Sequence, residues 1–503
     1  MISRPSPRTP LIAAALVLAP VLALVLAGCS ALGSDSAGKN GAVTGSPAFV
    51  RLLSQADTAV AGGALADAGR LLDEARAIEP DNPDLWVAIA RLRFRGGEHL
   101  TALEAADRAL ELGPDHAPAL LMRALMVRDA HGFADALPWV EAALSADRGY
   151  ADAWAEYAAT LGDLGRHRDM LEAVRELAGV APKDARVFYL QAVLAQRGGE
   201  PVLAHSLLER SGMAVRGVPS ALLLEALIQM DQGNTASAVE RFETLASRQP
   251  ANARVRELLA RALLLGGREA DLVARFAADT AKAEASPYIL TLVARAHERL
   301  GDRASAAPLL ERAARASVNS PVVLADRAGL PPPTSGLRQA GQAGDWATAR
   351  TAAQVLRARF PASADAALLA GDTLLGSGDA VGALETYALT ARVRRPWPLT
   401  RKAVLAYGRA GDPIAADTLL ARHVAGDPQN IAALAALAQS LAQRGEWQRT
   451  ALLLDHAIVL GGANDPAVLA LRNKAARALG RREDEARFAA ALADLRPAAL
   501  VRR

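Results

Sequence analysis

The chain has 503 residues, 51% apolar and 22% charged, so it can bury a large core and does not have the composition of a disordered protein. Its formal net charge of +3 is small for this length and argues against nucleic acid as a partner. The single cysteine excludes a disulfide framework and any zinc or iron–sulfur site that needs several cysteines.

Residues 1–28 have the features of a signal peptide. Two arginines are followed by an apolar stretch, residues 11–27, which is short for a membrane-spanning helix of roughly 20 residues. Small residues lead directly into Cys29, and this arrangement resembles the lipobox of bacterial lipoproteins. The resemblance implies cleavage before Cys29 and lipidation of its thiol. The alternative is an uncleaved signal anchor with an incidental cysteine.

Residues 29–48 are rich in serine, glycine and alanine and predict a lipidated, flexible tether. In enteric lipoproteins the residue after the cysteine influences sorting, and by resemblance Ser30 favours the outer membrane. We therefore expect a chain that is anchored in the outer membrane and faces the periplasm, with the inner membrane as the alternative.

From Phe49 onward, glycine recurs every 34 residues, which indicates a repeated structural unit. Seven of the first eight such positions are glycine, and only His131 breaks the run: Gly63, Gly97, Gly165, Gly199, Gly233, Gly267 and Gly301. Alanine is usual five places later, where two antiparallel helices would approach most closely. The pattern predicts eight helix–turn–helix units over residues 49–320, with a glycine at the turn of every unit but the third.

The phase of the repeat breaks after residue 320. Residues 321–336 contain three consecutive prolines, which no helix interior tolerates. The pattern then resumes over residues 337–503, which we interpret as a second array of about five units. Its last unit is crowded with arginines, including Arg472 and Arg487, and is expected to be a solvated cap that closes the array. We expect two rigid arrays, with the weakest stacking contact at the proline-rich break.

The repeat is similar to the tetratricopeptide repeat (TPR). One unit carries almost the whole pattern of that family: Trp86, Ala90, Gly97, Ala102, Ala109 and Pro114. The resemblance covers roughly nine-tenths of the chain, and it implies an all-α, right-handed superhelical solenoid of about 13 helix pairs. Another α-hairpin solenoid would share the architecture but not the period of 34. The tryptophans, such as Trp86 and Trp154, are expected to belong to the core.

The resemblance also implies a concave groove lined by the first helix of each unit. The residues that it places there include four arginines and two tyrosines, our candidate partner-binding residues: Arg254, Arg261, Arg295, Arg299, Tyr189 and Tyr288. Arginine suits the recognition of carboxylates because the guanidinium offers paired donors. We therefore expect an acidic segment of a protein partner to bind there, with Glu257 and Glu298 neutralising part of the charge internally.

No catalytic motif or metal-ligand spacing is present in the sequence, so we expect no enzyme activity, no cofactor and no metal. Two functional hypotheses remain. The first is a lipid-anchored periplasmic scaffold in an envelope complex, for exopolysaccharide export or for outer-membrane or pilus assembly. The second is a regulatory or recruiting subunit for a cell-wall or glycan enzyme.

Overall fold

The computed structural model describes residues 44–250, 252–282, 285–315, 323–324 and 332–495. Within these ranges the chain forms 26 α-helices and no β-strand, so the predicted all-α class is confirmed. Cys29, the predicted signal peptide and most of the predicted tether lie outside the described residues, as does most of the predicted break. In the part of the chain that is described, no helix is both long and apolar enough to span a bilayer.

The helices alternate as first and second members of antiparallel pairs. In the first array the first helices are α1 (Pro47–Ala61), α3 (Pro83–Arg95), α5 (Ala117–His131), α7 (Ala151–Asp163), α9 (Ala185–Arg197), α11 (Pro219–Asp231), α13 (Ala253–Leu265) and α15 (Pro287–Arg299). The second helices are α2 (Leu65–Ile78), α4 (His99–Leu112), α6 (Phe133–Ala146), α8 (His167–Val180), α10 (Pro201–Ser211), α12 (Thr235–Arg248), α14 (Glu269–Ala281) and α16 (Arg303–Arg315).

The second array continues the same alternation after a single turn of 3₁₀ helix, Pro332–Thr334. Its first helices are α17 (Ser335–Gln342), α19 (Ala364–Gly376), α21 (Trp397–Arg409), α23 (Ile431–Gln443) and α25 (Pro466–Ala478). Its second helices are α18 (Trp346–Arg359), α20 (Ala380–Ala391), α22 (Pro413–Gly426), α24 (Trp447–Val459) and α26 (Arg482–Asp494). The described helices therefore make thirteen pairs, which we number one to thirteen, and the predicted solenoid of about 13 pairs is confirmed.

A glycine with positive φ forms the turn inside each of these thirteen pairs. These residues are Gly63, Gly97, Gly132, Gly165, Gly199, Gly233, Gly267, Gly301, Gly344, Gly378, Gly411, Gly445 and Gly480. An L side chain is strained in this left-handed region, which explains the glycine column of the repeat. The irregularity at His131 is a shift of one place, because Gly132 makes the turn there with φ of +103°.

The alanines that follow each turn lie where the two helices of a pair touch. Their side chains are essentially inaccessible to solvent: Ala68, Ala102, Ala136, Ala204, Ala238 and Ala306. Larger apolar residues fill the space between pairs. Around pairs six to eight, Phe242, Leu259 and Phe276 belong to one buried cluster. Neighbouring pairs are therefore joined by a continuous apolar core, as repeat arrays require.

The tryptophans connect the core to the loops between pairs. The Trp86 indole donates its Nε1–H to the carbonyl of Pro80 at 2.8 Å, and Trp154 does the same to Arg148 at 2.8 Å. Both rings also pack against buried apolar clusters. Each tryptophan therefore ties the incoming loop to the first helix of its pair, in addition to filling the core.

The last pair is built around a buried arginine, which the expectation of a solvated cap did not include. Arg472 on α25 is only 1% exposed. Its guanidinium donates to Asp455 at 2.7 and 3.1 Å and to Asp484 at 2.9 Å, and it lies over the ring of Phe488. Arg487 is exposed, as expected of a cap. The end of the array is thus closed by a charged network with one solvent-facing side.

The second array also packs back against the first array. Helix α22 contacts α6, and α25 contacts α15 and α16. The Leu100 amide donates to the carbonyl of Ala362 at 3.1 Å, across 262 positions of sequence. The two arrays are therefore joined by direct tertiary contacts in addition to the covalent connection between them.

Candidate functional site: the arginine-bearing groove helices

The four candidate arginines lie on two first helices that contact each other. Arg254 and Arg261 belong to α13, and Arg295 and Arg299 belong to α15. The members of each pair are seven or four residues apart, so they share a face of their helix. The structure therefore brings all four to neighbouring helices, although each guanidinium has its own surroundings.

Glu257 lies beside Arg254 on α13, with the guanidinium Nη1 3.7 Å from the carboxylate Oε2. The Ser286 hydroxyl also donates to Glu257, at 3.1 Å. Burial raises the pKa of Glu257, and the charge of Arg254 acts in the opposite direction. On α15, Arg295 donates to Glu298 in the same way. Arg254 and Arg295 are thus each partly neutralised by a carboxylate on the same helix.

The other two arginines face different groups. Arg299 donates to the carbonyl of Leu264 at 2.7 Å and to Glu269 at 3.1 Å, which ties α15 to pair seven. Arg261 lies against Tyr288, and burial raises the pKa of that phenol while Arg261 lowers it. The Tyr288 ring is half-buried against the core of pairs six to eight. These side chains form a polar seam between pairs seven and eight.

One donor in this seam is left over. Among the described residues, Nη2 of Arg295 is buried and has no hydrogen-bond partner. A buried N–H group without a partner is costly, by about 1–3 kcal/mol. A carboxylate brought to α15 would therefore find a donor that the folded chain does not itself use.

Tyr189 does not belong with these residues. It is 1% exposed and lies in the buried cluster of pairs four to six. Its side chain points into the core of the array, so it offers no surface to a partner. Successive residues of an α-helix are rotated by about 100° around its axis, so a residue one place away from a groove position can face the core. This explains why Tyr189 was predicted to lie in the groove.

A cleft in the second array was not anticipated from the sequence. It has a volume of about 270 Å³ and is lined by Trp397, Arg401, Val404, Leu405, Gly408, Arg409 and Leu420. The Trp397 Nε1–H is buried and, within the described ranges, unpaired. The signal was present in the sequence: Trp397, Arg401, Leu405 and Arg409 recur every four residues on one first helix.

The family profile described as "Tetratricopeptide repeat" matches residues 53–117, 87–152, 223–288 and 338–398. These segments fall in both arrays, and each begins inside a first helix and spans about two consecutive helix pairs. The chain is a tetratricopeptide repeat protein. The TPR glycine, alanine and tryptophan columns thus have the structural roles described above.

This TPR protein is 30% identical over 285 residues to "Cellulose synthase operon protein C" of Xanthomonas axonopodis pv. citri (strain 306). The match includes 52% of this chain and 19% of the relative, so the chain spans about a fifth of that relative's length. The name of the relative describes that protein alone.

Two solved TPR-like structures are similar at low scores. PilW, a type IV pilus biogenesis factor, has a TM-score of 0.34 and 18% identity, over 43% of this chain and 100% of PilW. The pilF protein of Pseudomonas aeruginosa has a TM-score of 0.30 and 20% identity, over 45% of this chain and 88% of pilF. Similarity at this level does not extend to function.

Proposed function

We propose that the chain is a non-enzymatic scaffold, anchored by lipid in the outer membrane, that binds protein partners of a periplasmic complex. The observation that carries the proposal is the run of thirteen TPR pairs, because such arrays build extended protein-binding surfaces. The lipobox-like sequence at Cys29 supports the anchor. Two acyl chains or more make such an anchor stable.

Among envelope pathways we favour polysaccharide export. The support is the similarity to a protein named for a cellulose synthase operon. Assembly of outer-membrane proteins or pili is the alternative for a scaffold. In each case a long array on a lipid anchor would hold a partner at a set distance from the membrane.

The anchor is tested with Cys29→Ser. We expect this variant to lose labelling by a palmitate analogue and to leave the membrane fraction, while its helix content by circular dichroism stays the same. Labelling of the serine variant equal to that of the wild-type chain would contradict the anchor.

Partner binding is tested by capture from solubilised envelope with the lipid anchor intact. In the test variant Arg254, Arg261, Arg295 and Arg299 are all replaced by glutamine, which removes the charge and keeps much of each stem. In the control variant four exposed arginines on second helices are replaced in the same way: Arg70, Arg108, Arg168 and Arg449. Both variants lose four positive charges.

We expect the groove variant to capture the partner at least tenfold less well at low salt, which corresponds to about 1.4 kcal/mol. The control variant should capture it as the wild-type chain does. Equal capture by all three chains would remove the arginines from the binding site and direct attention to the Trp397 cleft. A captured hydrolase or glycan enzyme would favour the recruiting role instead.

A further inference from the structure

Three connections between pairs of the second array lie against three helix ends of the first array. The Leu100 amide donates to the carbonyl of Ala362, and the Arg395 amide donates to the carbonyl of Asp129 at 2.7 Å. The Gln429 side chain donates to the carbonyl of Asp163 at 2.5 Å. We call these contacts, together with that of α25 described below, the clasp.

The clasp follows the repeat. Its three connections precede pairs ten, eleven and twelve, and they meet pairs two, three and four. Pairs ten, eleven and twelve thus each lie beside the pair eight places before them, whereas pair thirteen contacts pair eight through α25. Because both arrays have the same repeat, one such contact sets the register of the next.

Two glycines make the closest approach between the arrays. Gly132 lies at the turn of pair three, and Gly426 is the last residue of α22. A methyl group added to Gly426 would lie 2.6 Å from the His131 carbonyl oxygen, and one added to Gly132 would lie 2.5 Å from the Gly426 Cα. The two backbones are therefore in direct contact, and neither position has space for a side chain.

Some amide groups that have no hydrogen-bond acceptor within their own array find an acceptor in the other array. Leu100 and Ala364 are within the first two residues of their helices, where the amide has no acceptor inside the helix. Their acceptors are the Ala362 carbonyl and the Nδ1 of His99, the latter at 3.3 Å. His99 is 5% exposed. Opening the clasp would return these groups to water.

At its other end the second array reaches the arginine-bearing helices. Helix α25 packs against α15 and α16. Asp465, which caps the start of α25, is close enough to Glu257 on α13 to raise the pKa of that carboxyl, in addition to the effect of burial. The second array therefore reaches the edge of the seam and adds a carboxylate there, while Arg254 and Arg299 keep 35% and 53% of their side chains exposed.

The clasp places like charges opposite each other. Asp163 faces Asp427, and Glu257 faces Asp465, while His99 lies near Arg394. Opposite charges meet there as well: Arg422 lies 3.5 Å from Asp135, with both side chains half-exposed, and Asp129 lies near Arg394. Each of the two largest buried apolar clusters lies within the first array alone. Permanent interfaces have complementary charges and apolar cores, whereas this one mixes like and opposite charges and is joined by hydrogen bonds.

We propose that the clasp is reversible, and that its opening strengthens the binding of an acidic partner segment to the arginines of α13 and α15. The occupied groove is that of the proposed function, so the second half of this statement rests on it. In the closed state α25 holds the carboxylate of Asp465 near Glu257, where it opposes the approach of an acidic segment. In the open state Asp465 is removed from Glu257, and Asp427 is removed from Asp163.

The test variant is Gly426→Ala, whose methyl group has no place in the closed clasp. Alanine favours helix more than glycine does, so α22 itself should remain folded. The matched control is Gly179→Ala, in the last turn of α8, where an added methyl group meets no atom within 4 Å. Gln429→Ala is a second route to the open state, because it removes hydrogen bonds and adds no atoms.

The first measurement is hydrogen exchange of the Leu100, Ala364 and Arg395 amides in the full chain. In the wild-type chain we expect one common protection factor for all three, well below that of amides in the middle of α13. In Gly426→Ala and in Gln429→Ala all three should exchange at least tenfold faster. The Gly179→Ala control should exchange as the wild-type chain does. Unchanged exchange in both test variants overturns the clasp.

The second measurement is the affinity of a synthetic peptide of ten glutamates, by calorimetry at low salt. We expect Gly426→Ala to bind it at least threefold more tightly than the wild-type or control chain. Fast exchange with unchanged affinity overturns the claim that the clasp controls the groove. If no chain binds the peptide while exchange is fast in the variant, the arginine site of the proposed function is wrong and the reversible clasp is supported.

Discussion

The contacts between neighbouring pairs of one array and the clasp between the two arrays are made by different kinds of groups. Neighbouring pairs share apolar cores such as that of Phe242 and Phe276, which are at most 3% exposed. The arrays meet through main-chain amides, the Gln429 side chain and two facing glycines. Apolar cores respond little to pH, whereas the clasp contains titratable groups. A TPR array can therefore be permanent along its length and adjustable where it meets itself.

The largest effect is expected where an apolar joint is broken. Phe242→Ala removes a ring that is fully buried between pairs six and seven. We expect a loss of about 3–5 kcal/mol in the free energy of unfolding, measured with urea, because a cavity is left in the core. Leu452→Ala, at a site that is 71% exposed, is the control and should change the free energy by less than about 0.5 kcal/mol.

Hydrogen exchange of the Arg395 amide should stay unchanged in Phe242→Ala. In a repeat array each unit contacts mainly its neighbours, so a cavity in one unit destabilises mainly the units next to it. Faster exchange there would show that the clasp and the apolar joints are one cooperative structure, and the distinction between them would fail.

A smaller effect is expected from acid, through His99. Burial, with help from Arg394, lowers the pKa of His99 to about 4, and Asp129 acts in the opposite direction. In an open chain the pKa would return to its ordinary value near 6.5. The contribution of His99 to closure is therefore complete above pH 6.5 and is lost as the pH falls toward 4, by about 1 kcal/mol or more at pH 5.

His99→Asn separates this contribution from the carboxylates of the clasp. Asparagine keeps an acceptor for the Ala364 amide but does not titrate. We expect the wild-type clasp to open more than that of the variant when the pH falls from 7 to 5. The measurement is the exchange rate of the Arg395 amide in the wild-type chain divided by that in the variant, at each pH. A ratio that does not change with pH would assign the acid response to other groups.

The smallest effect has the opposite sign. Asp427 directly follows the last residue of α22 and lies near Asp163, and burial raises the pKa of both carboxyls. A negative charge is also unfavourable at a helix C-terminus. Asp427→Asn should tighten the clasp at pH 7 by about 0.5–1 kcal/mol and slow exchange of the three clasp amides two- to fivefold. Faster exchange would mean that the carboxylate holds the clasp closed.

The repeat architecture could be predicted because its determinants are local and periodic. A glycine turn such as Gly97 and a small residue such as Ala102 recur at fixed distances, so the position of one unit predicts the positions of the next units. The shift from His131 to Gly132 shows the limit of strict counting, since the turn moves by one place while the next turn, at Gly165, stays in phase. Arg472 shows a second limit: a charged residue looks solvated until its partners Asp455 and Asp484 are placed around it.

The candidate site was predicted less completely. The position of the arginines on α13 and α15 follows from the period, but their partners do not. Whether a residue such as Tyr189 faces the core or the groove depends on the rotation of one helix within its pair. The hydrogen bonds of the clasp join residues more than 260 positions apart, such as Leu100 and Ala362, and no local pattern marks them.

The order of the clasp contacts has a mechanical consequence for a chain held at its N-terminus. A pull on the C-terminal end reaches α25 first, then Gln429, then Arg395 and finally Ala364. Contacts that are loaded one after another separate at a lower force than contacts loaded together. The molecule would therefore lengthen under tension by peeling apart along one edge, with every helix pair still folded, and would recover its closed length when the tension ends.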